Sequence, residues 1–188
     1  MAARNPHTAA LAEFITGTRA TDLNPGTIHA ARRALLDAIG CGLGGLDTPL
    51  LDAVGRSYAD QDIDGAGGVL GGRLSLPASA AGLWNSIAIN ALDFDDTYED
   101  GTNPIGHPGS STVGAWLAVA GSLGDSSLGD VLTTVAVGYE TAIRVALASQ
   151  PSQERRDLVC ERWGRALGQS FIVDNQGGGG GVIACQTT

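Results

Sequence analysis

An all-α body over residues 1–150 is predicted by three features of the sequence. Apolar residues recur at three- and four-residue intervals in several separate stretches. Proline, asparagine and glycine stand where such stretches begin and end. Strand-like runs do not alternate with helical ones, as a parallel sheet would require. A short helix begins at Ala9–Phe14. A better one opens at Asn24-Pro25, with Ile28, Ala31, Leu35, Ile39 and Leu43 on one face, and closes at Gly44-Gly45. Leu50–Tyr58 reads as a third helix, and Gly65–Gly72 as a loop or short extended piece. A fourth helix runs from about Pro77 to Leu92; its Ala78, Ser79, Ala80, Ala81 and Gly82 suit close packing against neighbours. After a loop over 93–107, helices follow at about 109–123 and 127–148, the last with Leu128, Val131, Leu132, Val135 and Tyr139 in register. Trp84, Trp116 and Trp163 read as packing anchors.

The character changes after Gln150-Pro151. Residues 151–188 read as a separate tail: an amphipathic helix over Glu154–Arg165, a strand at Phe171-Ile172-Val173, then five successive glycines, Gly177–Gly181. Such a glycine run has maximal chain entropy and no preferred fold.

Composition narrows the function classes. The chain has 188 residues, 43% hydrophobic and 16% charged, enough for one packed domain with or without an appendage. Its formal charge is −9, and all 11 basic residues are arginine. That balance argues against nucleic acid and anionic membrane surfaces as partners, and leaves no lysine for catalysis. Cys41, Cys160 and Cys185 lack metal-ligand spacing and read as incidental thiols. The N-terminus has no apolar signal core, and no run approaches the roughly 18 apolar residues of a membrane span, so a cytoplasmic setting is expected.

The most informative stretch is Leu92-Asp93-Phe94-Asp95-Asp96-Thr97-Tyr98, followed by His107-Pro108-Gly109-Ser110-Ser111. Asp93, Asp95 and Asp96 follow an apolar helix, where negative charge opposes the helix dipole at a cost of roughly 0.3–1 kcal/mol each. Stability does not explain that placement; proton chemistry or a ligand does. Pro108 suits a first helical position, and the turn behind it offers N–H groups and hydroxyls to an anion. Plainer roles exist for the same residues: Asp95 and Asp96 as solvated loop acids, His107 as a helix cap, Thr97 as a turn cap. His7 and His29 read as non-catalytic.

The order and spacing of these motifs resemble the MmgE/PrpD family, which includes 2-methylcitrate dehydratases, cis-aconitate decarboxylases and iminodisuccinate epimerases. The residues that carry the likeness are Ala31-Arg32-Arg33-Ala34-Leu35-Leu36-Asp37-Ala38-Ile39-Gly40-Cys41, Asn85, Ala91 to Thr97, His107 to Ser111, and Gly138 to Arg144. The resemblance implies part of the helical domain of a larger two-domain enzyme. The family's chemistry is elimination, decarboxylation or epimerisation of small polycarboxylates without metal or other cofactor. By that resemblance Asp93 and His107 are expected to do the acid/base work. Asp96 and Thr97 would orient or bind substrate, Ser110 and Ser111 would line an anion pocket, and Asp95 would be a supporting residue. A carboxylate crowded by like charges and shielded from water is pushed toward the range of a general base, and an imidazole can relay the second proton. A homodimer is also implied. Asn90 and Tyr98 stand where many members carry histidine. The family continues well beyond this length, with a second histidine and the cations for substrate carboxylates expected there. The tail from Glu161 is similar to an early segment of Bug-type tricarboxylate-binding proteins.

Two other classes fit parts of the sequence. Asp93-Phe94-Asp95-Asp96-Thr97 matches the Asp-x-Asp-x-Thr of haloacid-dehalogenase-like, magnesium-dependent phosphatases, which requires a buried strand just before it. A catalytically dead helical fragment, associating through uncovered apolar faces, is the non-enzyme alternative.

Overall fold

The computed structural model describes residues 6–61, 64–99, 104–123 and 126–149, with two short strands at 171–173 and 183–185. The described chain is mostly helical, as expected. The helices are α1 (Pro6–Gly17), α2 (Pro25–Gly45), α3 (Pro49–Ala59), α4 (Ala78–Asn90), α5 (Pro108–Ala120) and α6 (Leu128–Ser149), with a 3₁₀ turn at Ala20–Asp22. Two antiparallel ribbons complete the order: β1 (Tyr98–Glu99) with β2 (Pro104–Gly106), and β3 (Phe171–Val173) with β4 (Ile183–Cys185). The β1–β2 ribbon replaces the plain loop expected at 93–107. Its pairs are Tyr98↔Gly106 and Glu99↔Pro104. The helix expected at 154–165, the pentaglycine run and the boundary near 150 lie outside the described residues.

Local chemistry sets the helix starts. Asn24 Oδ1 accepts the Thr27 N–H at 2.9 Å while Pro25 occupies the first turn of α2. Thr48 does the same for α3, accepting from Leu51, again with proline next. In each case the side chain satisfies an otherwise unpaired donor, and proline sits where its missing N–H does no harm.

The described residues fall into two compact units. The first holds residues up to Asp96 and His107–Ile143, and contains the core. The second holds Thr97–Gly106 and the chain from Arg144, with the two ribbons.

Within the first unit α4 lies centrally, packed on α5 and α2 and, less extensively, on α3. Its buried residues, Ala81, Trp84, Asn85, Ala88 and Ile89, recur every three or four positions, so they share one broad face. Two clusters result. Leu46, Leu51, Leu76, Ala81, Trp84, Ala88 and Ala118 form one. Ala31, Ala38, Ile89, Val113, Leu132 and Val135 form the other, joining α2, α4, α5 and α6. Small residues let the helices approach: a side chain at Gly114 would strike Ser86 of α4, its backbone included.

One buried polar side chain ties the layers together. Asn85 is fully buried. Its Oδ1 accepts the Leu70 N–H at 2.7 Å, and its Nδ2 donates to the carbonyls of Gly68 at 2.8 Å and Gly114 at 3.2 Å. The extended segment 65–76 is thereby pinned to α4 and α5. Trp84 reinforces it by donating its indole N–H to the Leu70 carbonyl at 3.1 Å. Among the described residues no single helix is long and apolar enough to cross a membrane.

Candidate active site

The end of α4 and the start of α5 meet because the chain turns sharply at Asp93. Asp93 has φ 52°, the left-handed region that aspartate tolerates better than most residues. Its N–H donates to the Asn90 carbonyl at 2.9 Å, closing the end of the helix. The reversal separates three nearly adjacent acids. Asp93 projects outward with its side chain 78% exposed, whereas the Asp95 side chain is 0% exposed. Phe94 between them is 82% exposed.

His107, the residue before α5, lies between two of these acids. Its Nε2 is 3.7 Å from Asp93 Oδ1 and its Nδ1 is 3.3 Å from Asp95 Oδ1. Asp95 Oδ1 also accepts from Asn90 Nδ2 at 3.0 Å. His107, Asn90 and Ser110 line a cavity of about 400 Å³ with Leu50, Ser86 and Ile87. Asp93, Asp95 and His107 each offer an atom within 4.8 Å of the others, a spacing a cation could bridge.

Asp96 turns the other way. Its Oδ1 accepts the Gly109 N–H at 3.1 Å, so one N–H of the α5 start, expected to await a ligand, is taken by the protein's own carboxylate. A Cβ at 109 would displace Asp96 Oδ1 and the Tyr139 hydroxyl, so glycine lets the two side chains close on the start of α5. The two serine hydroxyls also turn inward along the helix. Ser110 donates to the His107 carbonyl at 2.9 Å and Ser111 to the Pro108 carbonyl at 3.1 Å. Thr97 is exposed and belongs to the second unit.

A larger cavity, about 630 Å³, lies on the Asp96 side, lined by Ala30, Arg33, Ala34, Leu36, Asp37, Phe94, Asp96 and Tyr139. The sequence pattern put Tyr139 on the apolar stripe of α6 and gave Asp37 no role at the site. The available signal was a phenol as the one polar tip on an otherwise apolar stripe.

Burial raises the Asp96 pKa above its ordinary value of 3.8, outweighing the downward pull of the Tyr139 hydroxyl and the Gly109 N–H; the charges of Asp95 and Asp37 add to the rise. The Tyr139 phenol is pushed far up, first by burial and then by the neighbouring Asp96. Burial, then Asp37, also raises the Cys41 thiol, which keeps it protonated and poorly nucleophilic at neutral pH.

The Asp96 shift has a definite sign in stability. Between 3.8 and the raised native value, the native state holds the proton more tightly than the unfolded state. Stability therefore falls as pH climbs through that window. Asp96→Asn keeps an oxygen for the Gly109 N–H and removes the charge. Urea denaturation across that window is expected to show the wild type losing ground to the variant as pH rises. A constant difference between the two would mean that Asp96 does not carry the effect.

The strand that a haloacid-dehalogenase-like site needs before its first aspartate is here helix α4, so nothing in the fold favours that chemistry.

Comparison with known proteins gives the family. A cis-aconitate decarboxylase-like protein, oryM, of Aspergillus oryzae is 29% identical over 163 residues, covering 83% of this chain and 32% of that protein. Cis-aconitate decarboxylase of Mus musculus is 31% identical over 101 residues, covering 53% of this chain and 20% of that protein. The Homo sapiens enzyme is 29% identical over 101 residues, with 53% and 21% coverage. The chain thus spans a third or less of the length of these relatives. No solved structure matches. The family model for the MmgE/PrpD N-terminal domain matches residues 9–170, continuing past the change of character near 150. The chain belongs to the MmgE/PrpD family, a lyase-type family, through that N-terminal domain.

Proposed function

We propose that this chain carries the proton-transferring part of a lyase site for a small polycarboxylate, with His107 and Asp93 handling a proton at carbon. The observation that supports it best is the His107 imidazole, set between two carboxylates and opening onto a cavity of about 400 Å³. That volume lies within the usual scale of small-molecule pockets, roughly 300–1,000 Å³. In a decarboxylation the bond to a carboxylate carbon breaks, carbon dioxide leaves, and the electron pair stays on the skeleton until a proton reaches carbon. In a dehydration a proton leaves one carbon and hydroxide leaves its neighbour. Both need one group that delivers or accepts a proton at carbon, and imidazole does either near neutral pH. Asp93, facing Nε2, steadies the imidazolium or accepts the proton from it. Ser110, which lines that cavity beside His107, is assigned to holding and orienting substrate. Such chemistry needs no cofactor. Its substrate is a cis-aconitate-like acid, by the names of the relatives.

A second reading, that these residues alone are a non-catalytic helical fragment, draws on two observations. Leu36, Leu43, Leu92 and Phe94 are exposed near the site, between 46% and 82%. Among the described residues, the lining of the His107 cavity holds no arginine to pair with substrate carboxylates. Incubation with cis-aconitate, 2-methylcitrate and iminodisuccinate separates the two. Consumption of at least one supports the lyase site, and inertness toward all three supports the fragment.

A further inference from the structure

We infer that Asp95 acts as a positioning residue for His107: it holds the imidazole proton on Nδ1 and leaves Nε2 to exchange protons with substrate.

Asp95 has no exposed side-chain surface, and it is held from behind by Asn90 Nδ2, 3.0 Å from its Oδ1. His107 Nδ1 lies 3.3 Å from that same oxygen. Among the described residues Nδ1 has no hydrogen-bond partner, and neither has Asp95 Oδ2, although both atoms are buried. The carboxylate therefore has unused acceptor capacity beside a ring nitrogen with nothing else to meet. An ionised carboxylate only accepts, so a ring nitrogen that bonds to it does so as the donor. At 3.3 Å the two atoms face each other without a formed N–H···O bond, as in ligand-free sites whose hydrogen bonds are often long or poorly aligned. With Nδ1 protonated, the neutral ring keeps its lone pair on Nε2. That atom faces the exposed Asp93 at 3.7 Å, and the ring itself lines the cavity. The two acids thus differ in what they do. Buried Asp95 sets the tautomer and aim of the ring, and exposed Asp93 meets its working edge. The left-handed turn at Asp93 makes this division possible by sending neighbouring acids to opposite environments.

The consequence for catalysis rests on the role proposed for His107, but the tautomer can be read without turnover. The test is ¹⁵N NMR of the imidazole rings, with chelator present and at a pH where the ring is neutral. The chain has three histidines, and His107→Asn identifies the signals of the third. The Nδ1–H form is expected to predominate roughly tenfold or more, a ratio that a hydrogen bond to a charged acceptor sustains. Asp95→Asn should invert the preference, because an amide can turn its N–H toward Nδ1. Asp93→Asn, at an exposed position, should leave the preference unchanged. Where turnover is measurable, Asp95→Asn should lower kcat with little change in KM. A predominant Nε2–H form in the wild type overturns the inference, and that measurement stands even if Asp95→Asn does not fold. A preference inverted by Asp93→Asn and unmoved by Asp95→Asn overturns it as well. An inactive wild-type chain that nonetheless shows the Nδ1–H form would sink the lyase reading and leave the role of Asp95 standing.

Discussion

Asn85→Leu is expected to destabilise the chain by about 3 kcal/mol or more, the sum of several buried polar groups losing their partners at roughly 1–3 kcal/mol each. Leucine keeps the four-atom branched outline of asparagine but is larger, so overpacking at this fully buried position adds to the lost hydrogen bonding. The Leu70 N–H and the Gly68 and Gly114 carbonyls would all lose a partner at once. The effect should reach the site, because segment 65–76 is held against α4 and α5 through these bonds, and α4 and α5 bear Asn90 and His107 at their ends. Urea denaturation measures the loss as a lower midpoint. Asp47→Asn is the control: its side chain is 82% exposed, and loss of its surface ion pair with Arg73 should cost less than about 1 kcal/mol. A midpoint for Asn85→Leu equal to that of the wild type would show that the three bonds do not hold the segment.

The second large effect is on turnover. His107→Asn is expected to lower kcat for a cis-aconitate-like substrate by roughly 10²–10⁴-fold, the usual contribution of a positioned acid or base. Asp93→Asn should lower it as well, and by less, since Asp93 reaches the ring only at 3.7 Å from an exposed position. Asparagine tolerates the left-handed backbone at φ 52°, so the fold should be unaffected. Asp93→Gly separates stability from chemistry. Glycine relieves the left-handed strain, about 1 kcal/mol, yet it removes the carboxylate. That variant should melt no earlier than the wild type and turn over no faster than Asp93→Asn. Full activity in Asp93→Gly would remove Asp93 from the reaction.

The helices were readable in the sequence because their signals are local. Asn24-Pro25 caps and starts α2, Pro108 starts α5, and the apolar stripes of α2, α4 and α6 follow a period that neighbouring residues define. The distribution of acids at the site was not readable in the same way. In Asp93-Phe94-Asp95-Asp96 nothing local says which carboxylate is buried. That depends on a single left-handed residue and on where the start of α5 returns. The capture of the Gly109 N–H by Asp96 was hidden for the same reason, since it joins residues 13 positions apart through a side chain. The β1–β2 ribbon depends on pairing across the same loop, and its short arms carry too few residues to show an alternating pattern. Tyr139 was visible as part of a stripe. Its approach to Asp96 required two helices to be placed.

Proton exchange at carbon tests the central claim most directly. The wild-type chain and His107→Asn would be incubated with cis-aconitate in D₂O, and ¹H and ¹³C NMR would follow both the substrate and any decarboxylated product. Deuterium should enter at a carbon beside a carboxylate with the wild type and at the background rate with His107→Asn. If the wild type incorporates none, or His107→Asn incorporates as much, proton transfer at carbon by His107 is contradicted.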